Sequence, residues 1–208
     1  MALLDYALLT VQEARLFPGM PRIEENEHEI LEALINEVTD SFEEFCGKAL
    51  IQRTFIENHY WADIERRIRA DRTSKLWLKN YPIISVTSVV DQAGNTIAAT
   101  DYWIDKDHGW LIMAGSWPVP QNSSGFSTYW TVTYVGGHFV SRPTVITSVK
   151  LAAKMQIAHI LRNPDDRVVE KQVGDLRLRY KETENSDRAM DLIPQVQEKL
   201  GTYITREL

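Results

Sequence analysis

Apolar residues recur at steps of three and four along Ile30, Leu31, Leu34, Ile35, Val38, Phe42 and Phe45, the period of one buried stripe on an α-helix. The pattern predicts a helix over about 26–46, roughly five turns and 30 Å long at 1.5 Å per residue. Gly47 follows where glycine closes a helix at little steric cost. A second helix is predicted over about 143–162. Pro143 suits its first position, and Val145, Ile146, Val149, Ala152, Ala153, Ile157, Ile160 and Leu161 spread over an arc wide enough to be covered on more than one side. A short helix is expected between Leu9 and Met20, with Thr10 and Glu13 at capping-box spacing, Leu16 and Phe17 as its apolar face, and Pro18-Gly19 as its stop.

Between the two long helices the period changes. Leu50 to Trp61, Lys75 to Leu78, Ile83 to Val90, Tyr102 to Ile104, Trp110 to Met113 and Tyr129 to Val135 are rich in β-branched and aromatic residues and read as strands. Asp91 to Thr96 and Asp105 to Gly109 carry the turn residues of hairpins. Val168 to Tyr180 alternates around Gly174-Asp175, as a small hairpin does. Leu192, Ile193, Val196, Leu200, Tyr203 and Ile204 then outline a short amphipathic helix with Pro194 near its start. The expected fold is α+β: an antiparallel helical core (1–50 with 140–164), an inserted antiparallel β module (51–139), and a C-terminal arm (165–208) carrying a hairpin and a helix.

Composition narrows the class without naming a function. The 208 residues are 44% hydrophobic and 25% charged, ordinary for a globular protein. A net charge of −6 argues against a general polyanion binder. The single cysteine, Cys46, excludes an intramolecular disulfide, and its place on the helical stripe makes it a small core residue. No apolar run reaches the length of a membrane span, and Met1-Ala2-Leu3-Leu4 lacks the features of a signal peptide, so neither a membrane nor an export route is expected. Charge is distributed unevenly. Every charged residue between Arg22 and Lys48 is acidic, including Glu37, Asp40, Glu43 and Glu44, whereas Arg66, Arg67, Arg69 and Arg72 crowd one polar segment.

Catalysis needs convergent polar groups, and no motif supplies them. The chain lacks a phosphate loop, a nucleophile elbow and a metalloprotease helix. Its five histidines have no metal-ligand spacing. Asp105 to Gly109 resembles the start of a calcium loop, but the position requiring Glu is Ser116. Glu43 and Glu44 are helix neighbours that point apart. No enzymatic activity, cofactor or metal is therefore expected. Among the six tryptophans, Trp61, Trp103, Trp110 and Trp117 could form a platform for carbohydrate or peptide, although strand aromatics more commonly build cores.

The order of these signals resembles a known family. Leu9-Thr10-Val11-Gln12-Glu13-Ala14-Arg15 opens a short helix, and Phe45-Cys46-Gly47-Lys48-Ala49-Leu50 ends a long one before Ile51-Gln52-Arg53-Thr54-Phe55. Then come Tyr81-Pro82-Ile83-Ile84-Ser85-Val86, Asp101-Tyr102-Trp103-Ile104-Asp105, Gly115-Ser116-Trp117-Pro118, Val132-Thr133-Tyr134-Val135-Gly136-Gly137, and a helix closing with Arg162-Asn163. The series is similar to the head–tail connector, or head-completion adaptor, proteins of tailed bacteriophages. It covers most of residues 8–180, leaving out the Arg-rich segment at 63–72 and the tail after Tyr180. The resemblance implies a structural virion protein without a cofactor, located in the neck and assembled in the host cytoplasm. It implies a dodecameric ring beneath the portal protein, onto which the next neck or tail-completion component assembles and through which DNA passes without specific binding. In that setting Glu37, Asp40, Glu43 and Glu44, with Arg66, Arg67, Arg69 and Arg72, become candidates for a subunit interface or lumen wall. Leu192, Ile193, Val196, Leu200, Tyr203 and Ile204 become candidates for a portal-docking arm.

Overall fold

The computed structural model describes residues 2–18, 20, 28–60, 75–113, 117, 129–162, 168–173, 176–180 and 192–204. In chain order these form α1 (Val11–Arg15), α2 (His28–Cys46), β1 (Arg53–Tyr60), β2 (Lys75–Trp77), β3 (Ile83–Asp91), β4 (Tyr102–Asp105), β5 (Trp110–Met113), β6 (Tyr129–Gly136), α3 (Thr147–Arg162), β7 (Val168–Val173), β8 (Leu176–Tyr180) and α4 (Pro194–Leu200). The α+β class follows directly. The chain divides into two compact units, one of residues 1–47 with 141–208 and one of residues 48–140, so that the second interrupts the sequence of the first.

In the helical unit, α2 buries Ile30, Leu31, Leu34, Ile35, Val38, Phe42 and Cys46, while Phe45 is only half-buried. Gly47 follows with a φ of 71°, a left-handed conformation that L side chains rarely adopt. α2 packs on α1 and on α3, and α3 packs on α4. The capping box of α1 is present: the Glu13 N–H donates to Thr10 Oγ1 at 3.1 Å, and the Thr10 N–H donates back to Glu13 Oε2 at 2.8 Å. The helix is shorter than expected and anchors itself through Ala14, whereas Leu16 is 74% exposed. The second long helix also starts later than Pro143. Thr144 accepts from the Ser141 N–H at 3.0 Å and donates to the Ser141 carbonyl at 2.8 Å, which closes a separate 3₁₀ turn over Arg142–Thr144 before Val145 extends.

Polar side chains on these helices hold segments that have no ladder of their own. Asn36, buried on α2, accepts from the Leu4 N–H and donates to the Ala2 carbonyl, both at 3.0 Å. Thr39 accepts from the Leu8 N–H at 3.2 Å. Arg142 donates to the carbonyls of Ala7 at 2.7 Å and Leu4 at 2.8 Å, and Lys150 pairs with Glu13 at 2.6 Å. Ala7, Leu8 and Leu9 are thereby sealed in the core. At the other end of the chain, Gln156 of α3 is buried and accepts from the Ile193 N–H at 3.1 Å, fixing the entry to α4.

The β unit contains two antiparallel three-stranded sheets, in the orders β1-β6-β3 and β2-β5-β4. The turn after β3 is tied by the Asp91 carboxylate, which accepts from the N–H groups of Ala93 and Asn95. It returns the chain for a single bridge, Val90 to Thr96, on one edge of β3, while the other edge pairs along its length with β6. β6 alternates between buried and half-buried positions, with Trp130, Val132 and Tyr134 inward. Those residues join Leu76, Leu78, Val89, Leu111 and Trp117 in one core. The predicted β4–β5 hairpin is present, with Trp103 opposite Ile112, and β7 pairs with β8 as the alternating C-terminal segment predicts.

Two measurements check this packing. Leu200 is fully buried, so Leu200→Ala is expected to lower stability by about 2–5 kcal/mol in urea unfolding. Gln156→Leu leaves the Ile193 N–H without its acceptor and is expected to cost about 1–3 kcal/mol in the same assay.

Candidate functional site

Three groups of residues compete for a functional role. The first is the acidic face of α2. Glu37, Asp40 and Glu44 are exposed and Glu43 is half-buried, on the side opposite the apolar stripe. Asp40 accepts from the Tyr6 hydroxyl at 3.2 Å. The face is acidic and solvated, and it does not converge on a point. Arg66, Arg67, Arg69 and Arg72, expected as a complementary patch, lie outside the described residues.

The second group is the proposed docking arm. Leu192, Val196, Leu200 and Tyr203 are buried, Ile193 is half-buried, and only Ile204, at 41%, is exposed. Four of the six side chains are therefore committed to the chain's own helical unit. The apolar face of α4 is occupied by α3, which meets its need for a partner without a second protein.

The third group was not singled out from the sequence. In the β unit, Glu57 accepts a hydrogen bond from the Tyr134 hydroxyl, one from the Lys79 N–H at 3.2 Å and one from Asn80 Nδ2 at 3.3 Å; His59 Nε2 stands 3.5 Å away. The Tyr134 oxygen also accepts from the Asn80 N–H at 3.0 Å, and Asn80 Oδ1 accepts from the Ala49 N–H at 2.7 Å. Gly136 passes directly over this cluster, where a Cβ would overlap the Asn80 carbonyl oxygen. Burial pushes the Glu57 carboxyl up, but the adjacent His59 ring and the hydrogen bonds from Tyr134 and the Lys79 N–H outweigh it and hold it below the usual carboxylate range. Burial, reinforced by the neighbouring carboxylate, raises the Tyr134 hydroxyl far above its ordinary value. A phenol held protonated and a carboxylate held ionised make a stable donor–acceptor pair, which suits a clasp between strands and a loop. The sequence signal was available: Glu57 is an acid at an inward position of an alternating strand.

The other candidates separate in space or purpose. Trp117 is in the core with its ring 6.0 Å from that of Trp130, while Trp103 is 53% exposed on β4. Trp117 therefore packs inward rather than on a surface platform, and Trp61 lies outside the described residues. The Asp105 turn is closed by its own side chain, which accepts from the His108 N–H at 3.3 Å. Among the described residues no three His, Cys, Asp or Glu side chains are grouped to hold a metal ion, and no helix is long and apolar enough to cross a membrane.

The Glu57 clasp has a pH signature. A carboxyl whose folded-state pKa is depressed adds stability that is present above its unfolded pKa and lost as pH falls through the folded value. Unfolding free energy should therefore fall below about pH 4, and Glu57→Gln should flatten that slope. Glu57→Ala, which leaves the Tyr134 hydroxyl and the Lys79 N–H without their acceptor, is expected to cost about 1–3 kcal/mol at neutral pH.

No protein-family profile and no curated protein matches the chain. Solved structures do. A chain from the neck of an empty GTA particle, computed with C6 symmetry, aligns with 100% of this chain and 95% of its own length at a TM-score of 0.63 and 14% identity. A chain from the virion of a native gene transfer agent (GTA) particle aligns at 0.58 and 19% identity, covering 100% and 94%. One from the neck of a native GTA particle, computed with C12 symmetry, aligns at 0.53 and 15% identity, covering 100% and 97%. The chain thus shares, along its whole length, the fold of chains found in GTA necks and virions, in agreement with its sequence resemblance to head–tail connectors.

Proposed function

We propose that this chain is a structural neck protein of a tailed-phage or phage-like particle, a head–tail adaptor without catalytic activity. The observation that carries the proposal is the fold match to GTA neck chains over all 208 residues. The particle necks containing those chains were computed with C6 and C12 symmetry, which supports a homo-oligomeric, dodecameric ring here. Such a ring sits in the virion neck below the portal protein, receives the next neck or tail-completion component, and forms in the host cytoplasm before joining the particle. The helical unit, with the β unit inserted into its sequence, is the scaffold that the ring repeats. Portal docking is not assigned to α4, whose apolar face is already covered.

DNA passes through the lumen in this reading, and the α2 carboxylates fit a wall that does not grip phosphates. Phosphate binding rises with each cation offered to the duplex and falls steeply with salt. The alternative use of the same carboxylates, pairing with a neighbour's arginines at 66–72, makes the opposite demand. The two separate by experiment. Lysines at Glu37, Asp40 and Glu44 are expected to create salt-sensitive retention of duplex DNA by assembled rings if the face lines the lumen. Loss of rings without DNA retention is the outcome expected of a lateral interface.

The central test is native mass spectrometry of the full chain with its portal. A closed ring bound to the portal is expected. A persistent monomer that never joins the portal overturns the proposal.

A further inference from the structure

The two long helices of the helical unit carry opposite charge. α2 bears Glu29, Glu32, Glu37, Asp40, Glu43 and Glu44 and no lysine or arginine; α3 bears Lys150, Lys154, His159 and Arg162 and no acid. The exposed acids of α2, Glu29, Glu37, Asp40 and Glu44, share one side of the helix as a narrow stripe. On α3, burial of Val149, Ala152, Ala153, Gln156 and Ile157 leaves Leu151, Lys154, Met155, His159 and Arg162 on the remaining face. Leu151, His159 and Arg162 are exposed there, and the other two are half-buried. α2 and α3 pack on each other, so neither exposed face lies in their shared contact. The α2 stripe also opposes the stability of its own helix. Carboxylates three and four apart repel. Glu43 and Glu44 sit in a last turn that has no basic residue, where the negative end of the helix dipole disfavours them. Cations from outside the helix relieve both effects.

We infer that the acidic face of α2 in one copy meets the basic face of α3 in the next, closing the ring head to tail, an inference that rests on the neck-ring reading above. It is the lateral use of the α2 carboxylates, with α3 in place of residues 66–72. Complementarity selects the occupant. Every copy carries both halves of the contact, opposite in sign and matched in length, 19 residues in α2 and 16 in α3. Setting either face against its own image would bring like charges together. A heterologous contact instead gives each acidic face a basic one and repeats until the ring closes. The α3 face also suits a protein better than DNA. Leu151, 37% exposed, and Met155 lie among its cations and offer apolar area that a protein neighbour covers and a phosphate backbone does not.

The test is native mass spectrometry of full chains mixed with portal rings. It compares wild type, an α2 variant (Glu37→Lys, Asp40→Lys, Glu44→Lys), an α3 variant (Lys154→Glu, Arg162→Glu), and the two variants together. Lys150 is kept because it holds Glu13 at 2.6 Å. Thermal unfolding verifies that each variant is folded, and the milder pair Glu44→Lys and Lys154→Glu serves if either is not. Each variant alone is expected to lose assembly by about tenfold or more. The mixture is expected to recover it as rings in which the two alternate, because reversed α2 then meets reversed α3 and the native faces meet each other. Wild-type assembly by either folded variant alone overturns the inference while leaving the ring reading intact. Loss in both without recovery on mixing overturns it too, since the two faces then meet different surfaces. Absence of any wild-type assembly with the portal overturns the ring reading itself.

Discussion

A backbone segment without a helix or strand ladder brings its N–H and carbonyl groups into a core unpaired, and each must find a partner there. In both units of this protein a buried carboxamide is one such partner. Asn36 takes up the segment before α1, Gln156 takes up the entry to α4, and Asn80 ties the Ala49 N–H to Glu57 and Tyr134. A carboxamide offers both a donor and an acceptor in one plane, so it can hold a backbone in a way that no aliphatic side chain of the same size can. Both ends of the helical unit's chain are drawn onto α2 and α3 by this means. Without it, the apolar residues beside these groups could be buried only at the expense of unsatisfied donors.

The charge distribution follows from the same division of labour. Apolar stripes and buried amides consume the inward faces of α2 and α3, leaving carboxylates for the outward face of α2. In the β unit the ionised group turns inward as Glu57, where several donors stabilise it, and one sheet face is left uncharged. Surfaces that differ this sharply suit a subunit with different neighbours on different sides. That is what the ring proposed above, set between two other components, requires of its subunit.

How much could be read from the sequence depended on whether the signal was periodic. The stripe from Ile30 to Phe42, the Thr10–Glu13 capping box, the left-handed Gly47 and the alternation of Trp130, Val132 and Tyr134 are local signals, and each element formed where they predicted it. The departures involve choices settled by tertiary contacts. The Ser141–Thr144 turn delays α3 past Pro143, and Leu16 faces solvent because Ala14 makes the contact. The amphipathic pattern of Val196 and Leu200 was legible, but a pattern does not name its partner. α3 proved to be that partner, which commits Val196 and Leu200 to the chain's own helical unit. The Glu57 cluster joins residues up to 77 positions apart, beyond the reach of any motif.

Cys46 gains a practical meaning from its position. It is the chain's only thiol, fully buried at the end of α2 beside the chain reversal at Gly47. A thiol reagent can reach it only when the helical unit opens, so the rate of its modification is a clock for that opening. The clock is intrinsic to the natural sequence and needs no engineered label. Read on free chains and on assembled particles, it would report how far assembly restrains the scaffold helix.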